Sequence, residues 1–173
     1  MKTTSVAFFP LFCAPILISC GGSMQAPPAA SPAPSANMVM GDDTPAGHKQ
    51  VIDALTLGGH DCENSVKAIA CDAKKQGAFT FAVVQAESPR RLVLVVPSTL
   101  KVPCEQAAPR FNTLNHEFET VTLSCENNEF AAAGVLFVPK AGLTPSDVNA
   151  FVSPWLVQLA TIIRANKLDE IVK

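Results

Sequence analysis

The chain alternates between two apolar periods, and the changes from one to the other mark its elements. Val51, Ile52 and Leu55 recur at helical spacing behind Thr44-Pro45, a cap residue followed by a first-turn proline, and Gly58-Gly59 closes the run. Ala78–Glu87 is β-branched and aromatic, and the turn Glu87-Ser88-Pro89-Arg90 leads into Arg91–Val96, apolar on both faces. Together they predict an antiparallel hairpin whose second strand is central. Between Glu105 and Phe118, residues Phe111, Leu114 and Phe118 return to helical spacing, which Pro109 permits only in the first turn.

Thr120–Cys125 then alternates, with Val121, Leu123 and Cys125 on one side and Thr120, Thr122 and Ser124 on the other. A turn at Glu126-Asn127-Asn128-Glu129 sends the chain into a last apolar strand, Phe130–Val138. Thr144-Pro145-Ser146-Asp147 opens the clearest helix. Its stripe runs from Val148 through Trp155 to Ile163, and Pro154 inside it predicts a kink. Residues 63–76 fit both periods: Val66, Ile69, Ala70 and Ala73 make a helical face, yet Val66, Ala68 and Ala70 also alternate as a strand does.

The first 43 residues follow neither period. Met1–Thr4 carries one positive charge, and a largely apolar run extends from Val6 to Ile18. The run is too short for a bilayer span of roughly 20 residues, and Pro10 and Pro15 interrupt it, so it reads as an export signal. It ends Leu17-Ile18-Ser19-Cys20-Gly21-Gly22. This resembles the lipobox of bacterial lipoproteins, in which the signal is removed before an invariant cysteine that carries diacylglycerol and an acylated amine.

The resemblance implies a signal peptide at 1–19, lipidation of Cys20, and a membrane partner held through the N-terminal lipid. Several acyl chains, each contributing about 0.8 kcal/mol per buried CH2, anchor stably where one would not. Gly21 in place of Asp implies, by analogy, the outer membrane of a bacterial envelope. Residues 20–43, with Pro27, Pro28, Pro32 and Pro34 among Ala, Ser and Gly, read as a tether reaching up to ~70 Å.

The folded module is expected at 44–173. From Arg91 onward it resembles the YbjN-type family of bacterial sensory-transduction regulator domains. The residues that carry the likeness are Arg91-Leu92-Val93-Leu94, Phe111-Asn112-Thr113-Leu114-Asn115, and Gly142-Leu143-Thr144 before the final helix. That family has the fold of type III secretion chaperones. The resemblance implies an α+β class, an antiparallel sheet of about five strands with three helices in the order α-β-β-β-α-β-β-α, and a strand at 66–73. Chaperones of this fold class generally dimerise, which implies a possible homodimer. Export and four additional cysteines depart from the family and argue against a cytoplasmic regulatory role.

Those cysteines, Cys62, Cys71, Cys104 and Cys125, are even in number, and an exported chain meets an oxidising compartment. Two disulfides in one of three connectivities are expected. Cys62 and Cys71 can pair only if the chain reverses between them, and bridges joining separate elements are favoured. The absence of Cys-x-x-Cys argues against a thiol oxidoreductase.

Composition excludes more than it assigns. The chain is 48% hydrophobic and 16% charged, enough for a core, and its net charge of -2 argues against a nucleic-acid partner. No P-loop, dinucleotide fingerprint, zinc pattern or nucleophile elbow occurs, so no catalytic residue, cofactor or metal is assigned. His60-Asp61-Cys62 reads as a loop after the first helix, with spacing that fits no standard zinc site. His48 and His116 are expected on exposed helix faces. Glu117 and Glu119 do not make an acid/base pair. Arg90, Arg91 and Arg110 are candidates for an anionic lipid or a partner carboxylate.

Three functions stay open at this point: a non-enzymatic protein- or peptide-binding, chaperone-like adaptor working through a sheet face or edge strand; a disulfide-stabilised structural component of the envelope; and an undetected hydrolase.

Overall fold

A computed structural model describes residues 38–65, 68–73 and 79–173. Helix α1 (Pro45–Leu57) begins at Thr44, whose side chain accepts from the Gly47 N–H, and Gly59 in the left-handed region (φ 85°) turns the chain out of it. Strands β1 (Asp61–Asn64) and β2 (Ile69–Ala73) follow as an antiparallel pair. Of the region whose period fitted both helix and strand, Ile69–Ala73 is therefore a strand, and residues 66 and 67 of the strand implied at 66–73 lie outside the described residues. The strand at its start, β1, raises the sheet from about five strands to six.

β3 (Phe79–Glu87) and β4 (Arg90–Thr99) make the expected hairpin. Helix α2 spans Cys104–Glu117. β5 (Thr122–Glu126) and β6 (Glu129–Phe137) are joined by Asn127 and Asn128, both at positive φ (49° and 64°). Such a two-residue loop matches the twist of a tight hairpin. Helix α3 (Pro145–Ala165) and a short 3-10 turn (Leu168–Glu170) complete the order.

The architecture is α+β: one antiparallel sheet in the order β1-β2-β3-β4-β6-β5, with α1, α2 and α3. β4 is internal, as its two apolar faces predict. Burial alternates along the strands, so the helices cover one face only. Ile69, Cys71, Phe81, Val83, Leu92, Leu94, Leu123, Phe130 and Ala132 point into that core. α3 contributes Val148, Val152, Trp155, Leu156, Leu159 and Ile162. The length and hydropathy of this helix would also suit a membrane span, but its stripe is buried within the fold.

Both internal prolines stand four residues after an exposed residue, on the outer side of their helices. Pro109 is not in the first turn as expected; it is the sixth residue of α2. It cannot donate to the carbonyl of Glu105, an exposed residue. Pro154 likewise spares the carbonyl of exposed Ala150, and α3 continues past it.

The packed chain starts before Thr44. Val39 is fully buried and exchanges backbone hydrogen bonds with Leu143, at 2.8 and 2.9 Å. Gly41 (φ 70°) lies so close to Val138 that a Cβ there would stand 2.8 Å from its Cγ2. Arg90 donates to the carbonyls of Met40 and Pro139, both at 3.4 Å, and its guanidinium lies 3.9 Å from Asp42. Residues 38–43 thus form a strap across the Arg90 end of the sheet. The expected tether residues 20–37, the signal peptide 1–19 and Cys20 lie outside the described residues.

Candidate interaction face

The side of the sheet away from the helices is built by the other half of each strand's alternation. β3 presents Ala82, Val84 and Ala86; β4 presents Arg91, Val93 and Val95; β6 presents Ala131, Ala133, Val135 and Phe137. Register lines these up in rows across the strands, among them Ala82–Val95–Ala133–Thr122 and Val84–Val93–Val135. Val84, Val135 and Phe137 are 38%, 41% and 63% exposed, although two of the three are β-branched residues suited to burial on a strand. No element among the described residues covers them. Contiguous exposed apolar surface of this kind marks an interaction site more often than scattered single residues do.

Polar groups frame the apolar rows unevenly. Arg91 stands at one end, paired across the strands with Ala86 and Phe137. At the other end Glu126 and Glu129 face each other across the β5–β6 hairpin, a like-charge pair that is unfavourable unless a cation joins it. The floor beside them, lined by Val95, Pro97, Thr99, Ser124 and Ala131, sinks into a hollow of about 560 Å3. A smaller hollow of about 240 Å3 at the β1–β2 corner is lined by Asp61, Glu63, Asp72 and Thr80.

Both free edges of the sheet are shielded. On β5 the Asn115 side chain of α2 accepts from the Leu123 N–H (2.7 Å) and donates to its carbonyl (2.8 Å). It thereby occupies the outward N–H and C=O of Leu123, at the middle of the edge that an added strand would use. The Cys104–Cys125 disulfide, with Cα atoms 5.7 Å apart, ties the same helix to the same strand. β1 is only four residues long and carries Asp61 and Glu63, which blunts its edge. Cys62 and Cys71 are directly opposed in the β1–β2 register, with Cα atoms 4.1 Å apart, and form the second disulfide. The chain does reverse between them, because β1 and β2 run antiparallel.

The remaining candidates are dispersed. His60 is buried, edge-on to Phe81 with ring centroids 5.4 Å apart. His116 is exposed on α2, as expected, but His48 is not on an open helix face. Its two ring nitrogens lie 2.8 Å from Asn64 Oδ1 and 2.8 Å from Asp43 Oδ1, joining α1 to β1 and to the strap. The half-buried Arg110 lies on α2, and the Glu117 and Glu119 side chains are exposed. Arg90 is engaged by the strap, whereas the Nε of Arg91 has no hydrogen-bond partner among the described residues. Among those residues no group of three or more His, Cys, Asp or Glu side chains is placed to hold a metal ion. Neither hollow on the sheet face is lined by a histidine.

Sequence reasoning missed the role of Asn115, although it quoted that residue in the family likeness. An Asn near the end of a helix, ahead of an alternating strand, is the only signal it offered. No family model matches the chain, and no curated protein matches it.

Proposed function

We propose that this chain is a lipid-anchored envelope protein and a non-enzymatic, protein-binding adaptor that works through the open face of its sheet. The observation that carries the reading is that face: apolar, uncovered among the described residues, and flanked by one edge strand held by Asn115 and another only four residues long. The lipobox-like Leu17-Ile18-Ser19-Cys20 supports anchoring, and both disulfides suit an oxidising compartment. The likeness to YbjN-type and type III chaperone folds is supported by the element order, which contains α-β-β-β-α-β-β-α once β1 is set aside. Among the described residues of the face no nucleophile is hydrogen-bonded to a base.

A photo-crosslinking residue placed at Val84 tests the face in intact envelopes. Specific protein adducts at Val84, absent when the probe sits at Val157 on α3, are the expected result. Equal labelling at both positions, or none at either, overturns the adaptor reading. Intact mass tests the anchor: an acylated chain beginning at Cys20, and release of Cys20→Ala from membranes, are expected. An unmodified leader still attached would overturn it.

A further inference from the structure

Resting on that reading of the open face, we infer that its occupant is an amphipathic α-helix of a partner protein, laid along the β4–β6 seam with its N-terminus at Glu126 and Glu129 and its C-terminus at Arg91. A sheet spends its backbone hydrogen bonds in its own plane, so an occupant of this face meets side chains only. The seam offers it Val93, Val95, Ala133 and Val135, none with a hydrogen-bonding side chain. A single extended segment lying there would bury its own N–H and C=O groups unpaired. A helix pairs its own backbone and leaves only its first N–H and last C=O groups in need of partners.

The two ends of the seam supply those partners, with opposite charge. Glu126 and Glu129 are register neighbours at one end, and neither has an ion pair among the described residues. Arg91 stands at the other end, likewise without an ion pair, and its Nε has no hydrogen-bond partner among those residues. The partial positive charge of a helix N-terminus relieves the like-charge pair, and its free N–H groups donate to the two carboxylates. The last carbonyls of the helix accept from Arg91. A partner sheet has only a small net dipole and gains nothing from ends of opposite sign. The carboxylates also disfavour an anionic lipid surface as the occupant.

Length and relief narrow the occupant further. From Arg91 to Thr99 is ~26 Å of strand, the length of a helix of about 17 residues. The floor falls along that line. Phe137, 63% exposed, rises at the Arg91 end, whereas Val95, Pro97 and Ala131 floor the hollow of about 560 Å3 at the Glu129 end. A fitting helix therefore carries large apolar residues on the stripe of its first half and small ones in the half that passes Phe137. One helix, ~10 Å wide, covers less than a standard interface, so the contact is reversible and in the micromolar range.

The test uses two uncharged peptides of that length, with blocked ends and identical composition. One carries Leu on the helical stripe of its first half and Ala on that of its second, with Gln elsewhere; the other is the same sequence reversed. Fluorescence anisotropy against the full chain in phosphatidylcholine nanodiscs reads binding, and the Phe137→Glu chain in the same discs gives the lipid background. The Leu-first peptide is expected to bind about threefold or more tighter than its reverse and to gain helical ellipticity on binding. Glu126→Gln combined with Glu129→Gln should weaken it about three- to thirtyfold, and Arg91→Gln about two- to fivefold, with Trp155 emission unchanged. No binding above the background, equal binding of the two peptides, binding without helical gain, or indifference to all three substitutions overturns the inference. The Val84 probe separates the two levels. Specific protein adducts at Val84 alongside any of those results overturn the helix and keep the adaptor reading. Absence of both adducts and peptide binding overturns both.

Discussion

Gly134 sits in the middle of β6 under the indole of Trp155, and replacing it with alanine measures how tightly α3 is seated. A Cβ at that position would lie 2.3 Å from Trp155 Nε1, 2.7 Å from Cε2 and 2.8 Å from Cδ1. The indole must retreat by about 1 Å to reach ordinary contact. It has little room, being 2% exposed, and its Nε1 donates to the Thr120 carbonyl at 3.0 Å.

Overpacking costs ~1–3 kcal/mol. Separating the indole from Thr120 leaves buried polar groups unpaired at a further ~1–3 kcal/mol. Gly134 is not at positive φ, so stiffening the unfolded chain returns ~0.4–1 kcal/mol. The net expectation is a loss of about 2–4 kcal/mol. With a urea dependence of ~1–3 kcal/mol/M, the unfolding midpoint should fall by roughly 1–3 M.

Trp155 is the single tryptophan, so its emission reports both the local displacement and the global transition. In a Trp155→Leu background, which removes all three ring atoms and is followed by circular dichroism, most of the Gly134→Ala penalty should disappear. A Gly134→Ala protein within about 0.5 kcal/mol of the parent, with unshifted emission, would refute the close approach of β6 and α3.

Three further outcomes follow from the packing. Asn115→Ala should destabilise by about 1–3 kcal/mol and promote association through the uncovered β5 edge, read by urea unfolding and light scattering. Replacing Cys104 and Cys125 with serine should cost about 2–4 kcal/mol, the contribution of closing a loop of this length, with the thermal midpoint as readout. Asp147 accepts from the Thr144 hydroxyl and, less strongly, from its backbone N–H, and both hold its carboxyl below the ordinary 3.8. Because the folded value is the lower one, the stabilisation is complete above pH 3.8 and is lost as pH falls through the folded value. Parent and Asp147→Ala midpoints should therefore converge in acid; a constant difference down to the acid limit would contradict the capping box.

Elements with a local chemical signature were legible in the sequence. Thr144-Pro145-Ser146-Asp147 specified the start of α3, and alternation from Thr120 to Cys125 placed Val121 and Leu123 inside and Thr122 and Ser124 outside. What failed to show was set by distant partners. β1 is too short and too polar to announce itself, and its strand character depends on pairing with β2. Met38-Val39-Met40 is a three-residue apolar run with no period of its own, and nothing in it marks Val39 as core until Leu143 and Arg90 are brought beside it. The open face was hidden for a different reason. A strand apolar on both sides reads as fully buried, and sequence does not tell whether the second side meets a layer of its own chain.

The strap gives that last observation a mechanical counterpart. Any pull arriving along the chain upstream of Met38 is borne first by the Val39–Leu143 hydrogen bonds and the Arg90 clamp, not by the first turn of α1. Those bonds would have to shear before force reached the helix cap. The fold thus carries a cable grip ahead of its first helix: load applied at Met38 would meet two backbone hydrogen bonds and a buried valine before it met the cap of α1.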